Sequence, residues 1–67
     1  MNTIDLSKLS PEQKEDCLDW LNSDNVVIER GKTGNIYRAQ CNQYMSRMTI
    51  GEAVYYWYHE YGQYQSY

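Results

Sequence analysis

The chain has 67 residues and a formal net charge of −3, and a domain of this size buries only about 60% of the surface of its unfolded chain. A chain this short leaves no room for a deep catalytic cleft beside a core, and its 42% hydrophobic and 22% charged residues are typical of a folded globular domain. No apolar run is long enough to span a membrane, and the start lacks the basic and apolar segments of a signal peptide, so we expect a cytoplasmic protein.

The first predicted helix begins after a lead-in over residues 1–9 and ends near Ser23. Ser10 is the expected N-cap, Pro11 the first helical residue, and Gln13 the residue that completes a capping box. Apolar residues of the lead-in are expected to pack under this helix, namely Ile4, Leu6 and Leu9. The inward face and its margin are predicted to hold Lys14, Cys17, Leu18, Trp20 and Leu21.

An acidic stripe lies on the outward face of this helix and consists of Glu12, Glu15, Asp16 and Asp19. Solvation and the helix dipole explain part of it, because the dipole favours negative charge in the first turns. Phosphate mimicry is the alternative, in which the acids occupy a nucleic-acid channel of an enzyme. We therefore include the four acids among the candidate partner-binding residues.

An antiparallel sheet of two or three strands is predicted in the middle of the chain. A β-branched strand over residues 25–30, a turn over 31–34 and a returning strand over 35–41 form a hairpin. A third strand over residues 44–48 follows a two-residue turn. Both helices must cover the one apolar face of this sheet, so we predict an α+β domain with the order α-β-β-β-α.

The predicted register decides which side chains face the helices. The core face pairs Ile28 with Tyr37, Val26 with Ala39, Met48 with Tyr37, and Ser46 with Ala39. On the open face Arg38 lies beside Arg47, where like charges repel unless Glu29 or an anionic partner lies between them. With Arg30 and Lys32 these arginines make the middle of the chain basic, which leaves weak nucleic-acid binding as an alternative function.

Catalytic and metal-binding motifs fit the sequence poorly. The stretch 31–34, G-K-T-G, lacks the upstream glycine of a phosphate-binding loop and precedes a strand instead of a helix. His59 is the single histidine, and no motif places a nucleophile beside it. Cys17 and Cys41 lack zinc-site spacing, so we expect two reduced, buried thiols. The sequence therefore predicts a protein without enzymatic activity, metal or cofactor.

The second predicted helix lies between Met48 and Gly62. Thr49 and Glu52 form a capping-box signature, and Gly62 is expected to end the helix in a left-handed conformation. Its apolar face is predicted to hold Ile50, Ala53, Val54, Trp57 and Tyr61. Residues 63–67 hold no apolar helical pattern and are expected to form a frayed tail.

A tyrosine-rich patch on this helix is the main functional indication. We predict that it binds a partner through Tyr55, Tyr56, Tyr58 and His59. The chain has eight tyrosines and no phenylalanine, and Tyr is enriched at interface hot spots because it brings large contact area with few rotors. The rings could instead shield the edge of the core. A homodimer that pairs through these tyrosines or through an edge strand is a further alternative.

The start of the second helix, Thr49-Ile50-Gly51-Glu52-Ala53, has the pattern T-x-x-E-A directly after the strands. In this the chain resembles small α+β proteins of bacteriophages and prophages, among them anti-CRISPR proteins, anti-restriction proteins and inhibitors of host RNA polymerase. The resemblance implies a non-enzymatic inhibitor in the host cytoplasm, which occludes a surface of a host nucleic-acid-processing or defence complex. A similar strand-then-helix pattern occurs in antitoxin-like domains, which leaves that class open.

Overall fold

Two helices and a three-stranded antiparallel sheet form the structure, a computed structural model that describes residues 2–32, 34–41 and 44–65. In chain order the elements are a 3₁₀ turn (Leu6–Lys8), α1 (Pro11–Leu21), β1 (Val26–Gly31), β2 (Gly34–Cys41), β3 (Tyr44–Met48), α2 (Ile50–Glu60) and a second 3₁₀ turn (Gly62–Tyr64). This order confirms the predicted α-β-β-β-α fold. None of the helices in the described part is both long and apolar enough to cross a membrane.

Both helices begin with the capping boxes that the sequence predicts. At α1 the Ser10 hydroxyl accepts from the Gln13 amide, and the Gln13 side chain accepts from the Ser10 amide, each at 3.2 Å. At α2 the Glu52 carboxylate accepts from the Thr49 amide at 3.1 Å, and the Thr49 hydroxyl accepts from the Glu52 amide. Each box supplies partners for backbone N–H groups that the helix itself cannot satisfy.

The sheet has the order β1-β2-β3 and the predicted register, which confirms every core-face pair named above. On the open face Arg38 and Arg47 are direct neighbours, and Glu29 forms a salt bridge with Arg38. Gly34 adopts φ 121°, a conformation that other residues rarely adopt, directly after the first turn. The remaining turn residues, Thr33, Asn42 and Gln43, lie outside the described residues.

The core draws on both helices and on one face of the sheet. Its buried members are Cys17, Leu21, Val26, Tyr37, Ala39, Met48, Ala53, Val54 and Trp57. Side chains of the lead-in pack against this cluster, namely Ile4, Leu6 and Leu9, and the Ile4 amide bonds to Gly51 of α2 instead of the lead-in docking on α1 alone. Cys17 is fully buried and reduced, and burial raises the pKa of its thiol to about 11. Cys41 lies in β2 as predicted, but its side chain falls outside the described set.

Several side chains predicted to face the core are exposed instead. The exposed fractions are 39% for Leu18, 41% for Ile28, 46% for Ile50 and 43% for Tyr61, and Lys14 is exposed as well. Ile50 is the first residue of α2 and Tyr61 follows its last, so both lie at the ends of the packed helix. The helix α2 packs on β2 and β3, so it leaves Ile28 on β1 partly uncovered. Trp20 is half-buried, as predicted for a residue at the margin.

The predicted role of Gly62 is wrong. Among the described glycines only Gly34 has a positive φ, so no left-handed residue ends α2. Gly62 is buried against Trp57, and a Cβ atom at this position would lie 2.6 Å from the indole ring. Glycine is needed here for close approach to the ring. The tail begins with the 3₁₀ turn over Gly62–Tyr64, and residues 66–67 lie outside the described part of the chain.

Candidate functional site

A groove of about 380 Å³ lies between β3 and α2. Five of its residues come from α2 at the spacing of a single helix stripe: Glu52, Tyr55, Tyr56, His59 and Glu60. Three consecutive residues come from β3, and the N-terminal segment adds one, so the other lining residues are Ser46, Arg47, Met48 and Asn2. The groove therefore has both apolar and charged groups along its walls.

The short connection between the two elements forms this groove. Thr49 alone separates β3 from α2, so the chain turns back and the helix lies alongside the strand that precedes it. The Thr49–Glu52 capping box fixes the first turn of the helix, and the buried Trp57 anchors its inner face. The stripe next to the inner face is then held beside β3.

Two neighbours hold the hydroxyl of Tyr55 in the groove. The hydroxyl lies 2.7 Å from Nε2 of His59, one helical turn away, and it accepts a hydrogen bond of 3.1 Å from the Asn2 side chain. The Tyr55 and His59 rings also contact each other, with centroids 4.6 Å apart. The half-buried Tyr55 ring and the exposed His59 ring therefore form one preorganised unit.

Tyr56 has a second role besides lining the groove. Its ring stacks on Trp20 of α1 with centroids 5.7 Å apart and an interplanar angle of 24°, so it links the two helices. Tyr58 packs against the core and does not line the groove. Both rings are half-buried. The structure thus brings Tyr55, Tyr56 and His59 together and leaves Tyr58 outside the predicted patch.

The acidic stripe of α1 is a separate surface. Its members, Glu12, Glu15, Asp16 and Asp19, are all exposed, and none of them lines the groove. Their spacing of three and four residues places them on one side of the helix. The two predicted contact surfaces therefore belong to different helices.

Sequence reasoning missed several residues of the groove. Glu60 continues the helical spacing of Glu52, Tyr55, Tyr56 and His59, and that spacing could have identified it. Asn2 gives no such signal, because it reaches Tyr55 only after the lead-in docks on α2. That docking includes a 3.0 Å hydrogen bond from the Ile4 amide to the Gly51 carbonyl. The sequence predicts Arg47 on the open face of the sheet. It lines the groove because the edge of β3 faces α2, which is a tertiary contact that the sequence pattern does not indicate.

The groove combines a phenol and an imidazole, because the Tyr55 hydroxyl and Nε2 of His59 share a hydrogen bond. The described residues contain no cluster of His, Cys, Asp and Glu side chains that could hold a metal ion. Half-buried aromatic rings beside charged groups instead give a surface that is apolar and hydrogen-bonding at once.

Comparisons of the chain with protein families, with curated proteins and with solved structures found no match. The functional interpretation therefore rests on the residues and the geometry of the chain itself.

Proposed function

We propose that this protein binds another protein through the groove between β3 and α2. The observation that carries the proposal is the Tyr55–His59–Asn2 unit, which holds an aromatic ring in the wall of the groove. A tyrosine fixed before binding loses little conformational entropy when a partner covers it. Tyrosines in this setting are typical interface hot spots.

The proposed partner is a host nucleic-acid-processing or defence complex, and the protein acts on it by occluding a surface. The resemblance of the helix start to small phage inhibitors supports this proposal. The acidic stripe of α1 supports it as well, because four exposed acids on one helix suit a basic channel that normally holds phosphates. We propose this stripe as the second contact surface.

The test replaces Tyr55 by serine and measures capture of a partner from a bacterial lysate. We expect Tyr55→Ser to abolish capture and, with the purified partner, to weaken binding by roughly 30-fold, the effect of a hot spot worth about 2 kcal/mol. Thermal stability should change little, because the Tyr55 ring is half-buried and lies outside the core cluster.

Tyr64→Ser is the matched control, because Tyr64 is 76% exposed and does not line the groove. It should bind like the wild type. Equal capture by the Tyr55 and Tyr64 variants would contradict the proposal. A large fall in the melting temperature of Tyr55→Ser would assign the ring to the core instead.

A further inference from the structure

We infer that the groove takes an extended peptide segment of the partner, which adds a fourth strand to the free edge of β3. This inference rests on the proposed function, because it names the part of the partner that occupies the same groove. Strand addition supplies main-chain hydrogen bonds at the edge, and side-chain pockets beside the edge supply specificity. The structure contains both features.

The free edge follows from the sheet order β1-β2-β3, because within the described part of the chain β3 has a neighbouring strand on one side only. Hydrogen-bonded and non-hydrogen-bonded pairs alternate in antiparallel ladders, and the pair that closes a two-residue hairpin is hydrogen-bonded. The closing pairs are Gly31–Gly34 and Cys41–Tyr44. Even-numbered residues of β2 therefore bond to β1, and odd-numbered residues bond to β3.

Arg38 is even-numbered, so its backbone bonds to β1 and not to its β3 partner Arg47. The N–H and C=O of Arg47 therefore point to the outer edge of the sheet. The other edge of the sheet obeys the same rule. Val26 of β1 pairs with the odd-numbered Ala39, whose backbone bonds to β3. The Val26 amide therefore points away from β2, and it donates to the Ser23 carbonyl at 3.2 Å. Across residues 2–32, 34–41 and 44–65, no comparable bond occupies the Arg47 backbone.

The edge itself borders the groove. Ser46, Arg47 and Met48 all line it, although neighbouring side chains on a strand point to opposite faces. Three consecutive residues can share one wall only where the edge of the strand forms that wall. A strand laid along this edge would therefore lie between β3 and the helix stripe.

The helix wall indicates the chemistry of the added strand. Glu52 and Glu60 lie at the two ends of the stripe, and eight helical residues span about 12 Å. Two side chains on one face of an extended peptide, four residues apart, are separated by about 13 Å. Basic residues at these two positions would meet the carboxylates. The position midway between them would face Tyr55 and Tyr56 and suits an aromatic side chain.

A second copy of this chain fits the edge less well than a basic peptide. Two copies joined edge to edge along β3 would bring their α2 stripes together and place Glu52 and Glu60 near the same carboxylates of the other copy. Each copy also has a net charge of −3. Like charges at such a contact oppose association, whereas a peptide with two lysines complements them.

The probe is an acetylated and amidated peptide, G-T-K-T-Y-T-K-T-G, titrated into the ¹⁵N-labelled protein. We expect shifts at the backbone amides of Arg47 and of α2, and at least tenfold weaker binding when glutamate replaces both lysines of the peptide. The key variant is Arg47→Pro, which removes the outward N–H. Proline is tolerated on an edge strand where its missing N–H faces outward.

Arg47→Ala is the matched control, because it also removes the guanidinium but keeps the N–H. We expect Arg47→Pro to bind the peptide at least tenfold more weakly than Arg47→Ala, because both variants lack the guanidinium and only the proline variant also loses the edge hydrogen bond. If Arg47→Pro does not fold, peptides N-methylated at alternate amides test the same bond, and only one of the two alternating sets should lose binding.

Equal binding by the proline and alanine variants, an unshifted Arg47 amide or no binding of the peptide would overturn strand addition. A dimer seen by light scattering that Arg47→Pro dissociates would also overturn it and would assign the edge to a second copy. Partner capture that depends on Tyr55 but not on the Arg47 amide would remove this inference alone. Capture that is independent of Tyr55 would remove the proposed function as well.

Discussion

The two helices begin alike and serve different purposes. Each has 11 residues and starts with a complete capping box. The helix α1 presents an acidic outer surface and buries Cys17 and Leu21, whereas α2 buries three residues and presents aromatic rings to a groove. The comparison shows that capping fixes where a helix begins, while the residues of the exposed face determine what the helix can bind.

The two helices also differ in the number of elements that they contact. The helix α2 packs on β2, on β3 and on α1, so it lies at the centre of the contacts between elements. Trp20 of α1 reaches this assembly by packing against Tyr56 and Tyr61. We therefore expect changes in the core of α2 to affect the whole domain, and changes on the flank of α1 to remain local.

The largest expected effect is that of Trp57→Ala, which removes the largest buried side chain of α2. A tryptophan truncated in a core costs about 3–5 kcal/mol. A total stability of about 0.05–0.15 kcal/mol per residue gives about 3–10 kcal/mol for 67 residues, so the variant should lose a large part of its stability. Urea denaturation followed by circular dichroism measures the loss.

Leu18→Ala on α1 is the control for this prediction. Leu18 is 39% exposed, and we expect its truncation to lower the free energy of unfolding by less than about 1 kcal/mol, because little buried area is lost. Equal losses for the two variants would mean that the helices contribute equally to the core. The proposed central position of α2 would then be wrong.

The sequence predicts those parts of the fold that depend on neighbours in the chain. The capping residues Ser10 and Thr49 and the strand register follow from local spacing, and the structure confirms them. Burial at the ends of elements is not predictable in this way. Ile50 and Tyr61 match an apolar helical pattern, but they lie at the two ends of α2 and are exposed.

The candidate site was predictable only in part, for the same reason. Tyr55, Tyr56 and His59 share a stripe that helical periodicity identifies. The groove itself needs β3 as its second wall and Asn2 as the partner of the Tyr55 hydroxyl. These contacts depend on the tertiary fold and leave no repeat or motif in the sequence.

Cys17 gives the second prediction, which concerns α1. Burial raises the pKa of its thiol from 9.0 to about 11, and the thiolate is the reactive form. At pH 8 this shift of about two pKa units lowers the thiolate fraction roughly 100-fold. We expect native protein that carries Cys41→Ser to react with a thiol reagent at least about 100-fold more slowly than the same variant in urea.

The pH dependence has a defined sign. The folded state holds the thiol proton more tightly than the unfolded chain, so this contribution to stability is present below pH 9.0 and is lost as the pH rises to about 11. The native labelling rate should keep rising with pH beyond 9. Equal rates in native and unfolded protein would show that Cys17 is accessible and that α1 does not seal it.

The smallest effect of the three concerns the end of α2, where the helices differ again. The helix α1 ends at Leu21, and the side chain of its C-cap Asn22 donates to the Leu18 carbonyl at 2.9 Å, whereas Gly62 beyond the end of α2 packs against the Trp57 ring. Gly62→Ala would place a methyl group 2.6 Å from that ring, so the buried indole must shift. Overpacking of this kind costs about 1–3 kcal/mol.

Gly51→Ala is the control, because its methyl group would meet only the exposed Thr3 side chain at 3.1 Å, and alanine gains about 1 kcal/mol of helix propensity. Thermal denaturation should therefore show a lower melting temperature for Gly62→Ala and an unchanged or higher one for Gly51→Ala. If Gly62→Ala were instead as stable as the wild type, the close approach to Trp57 would not require glycine, and the end of α2 would need another explanation.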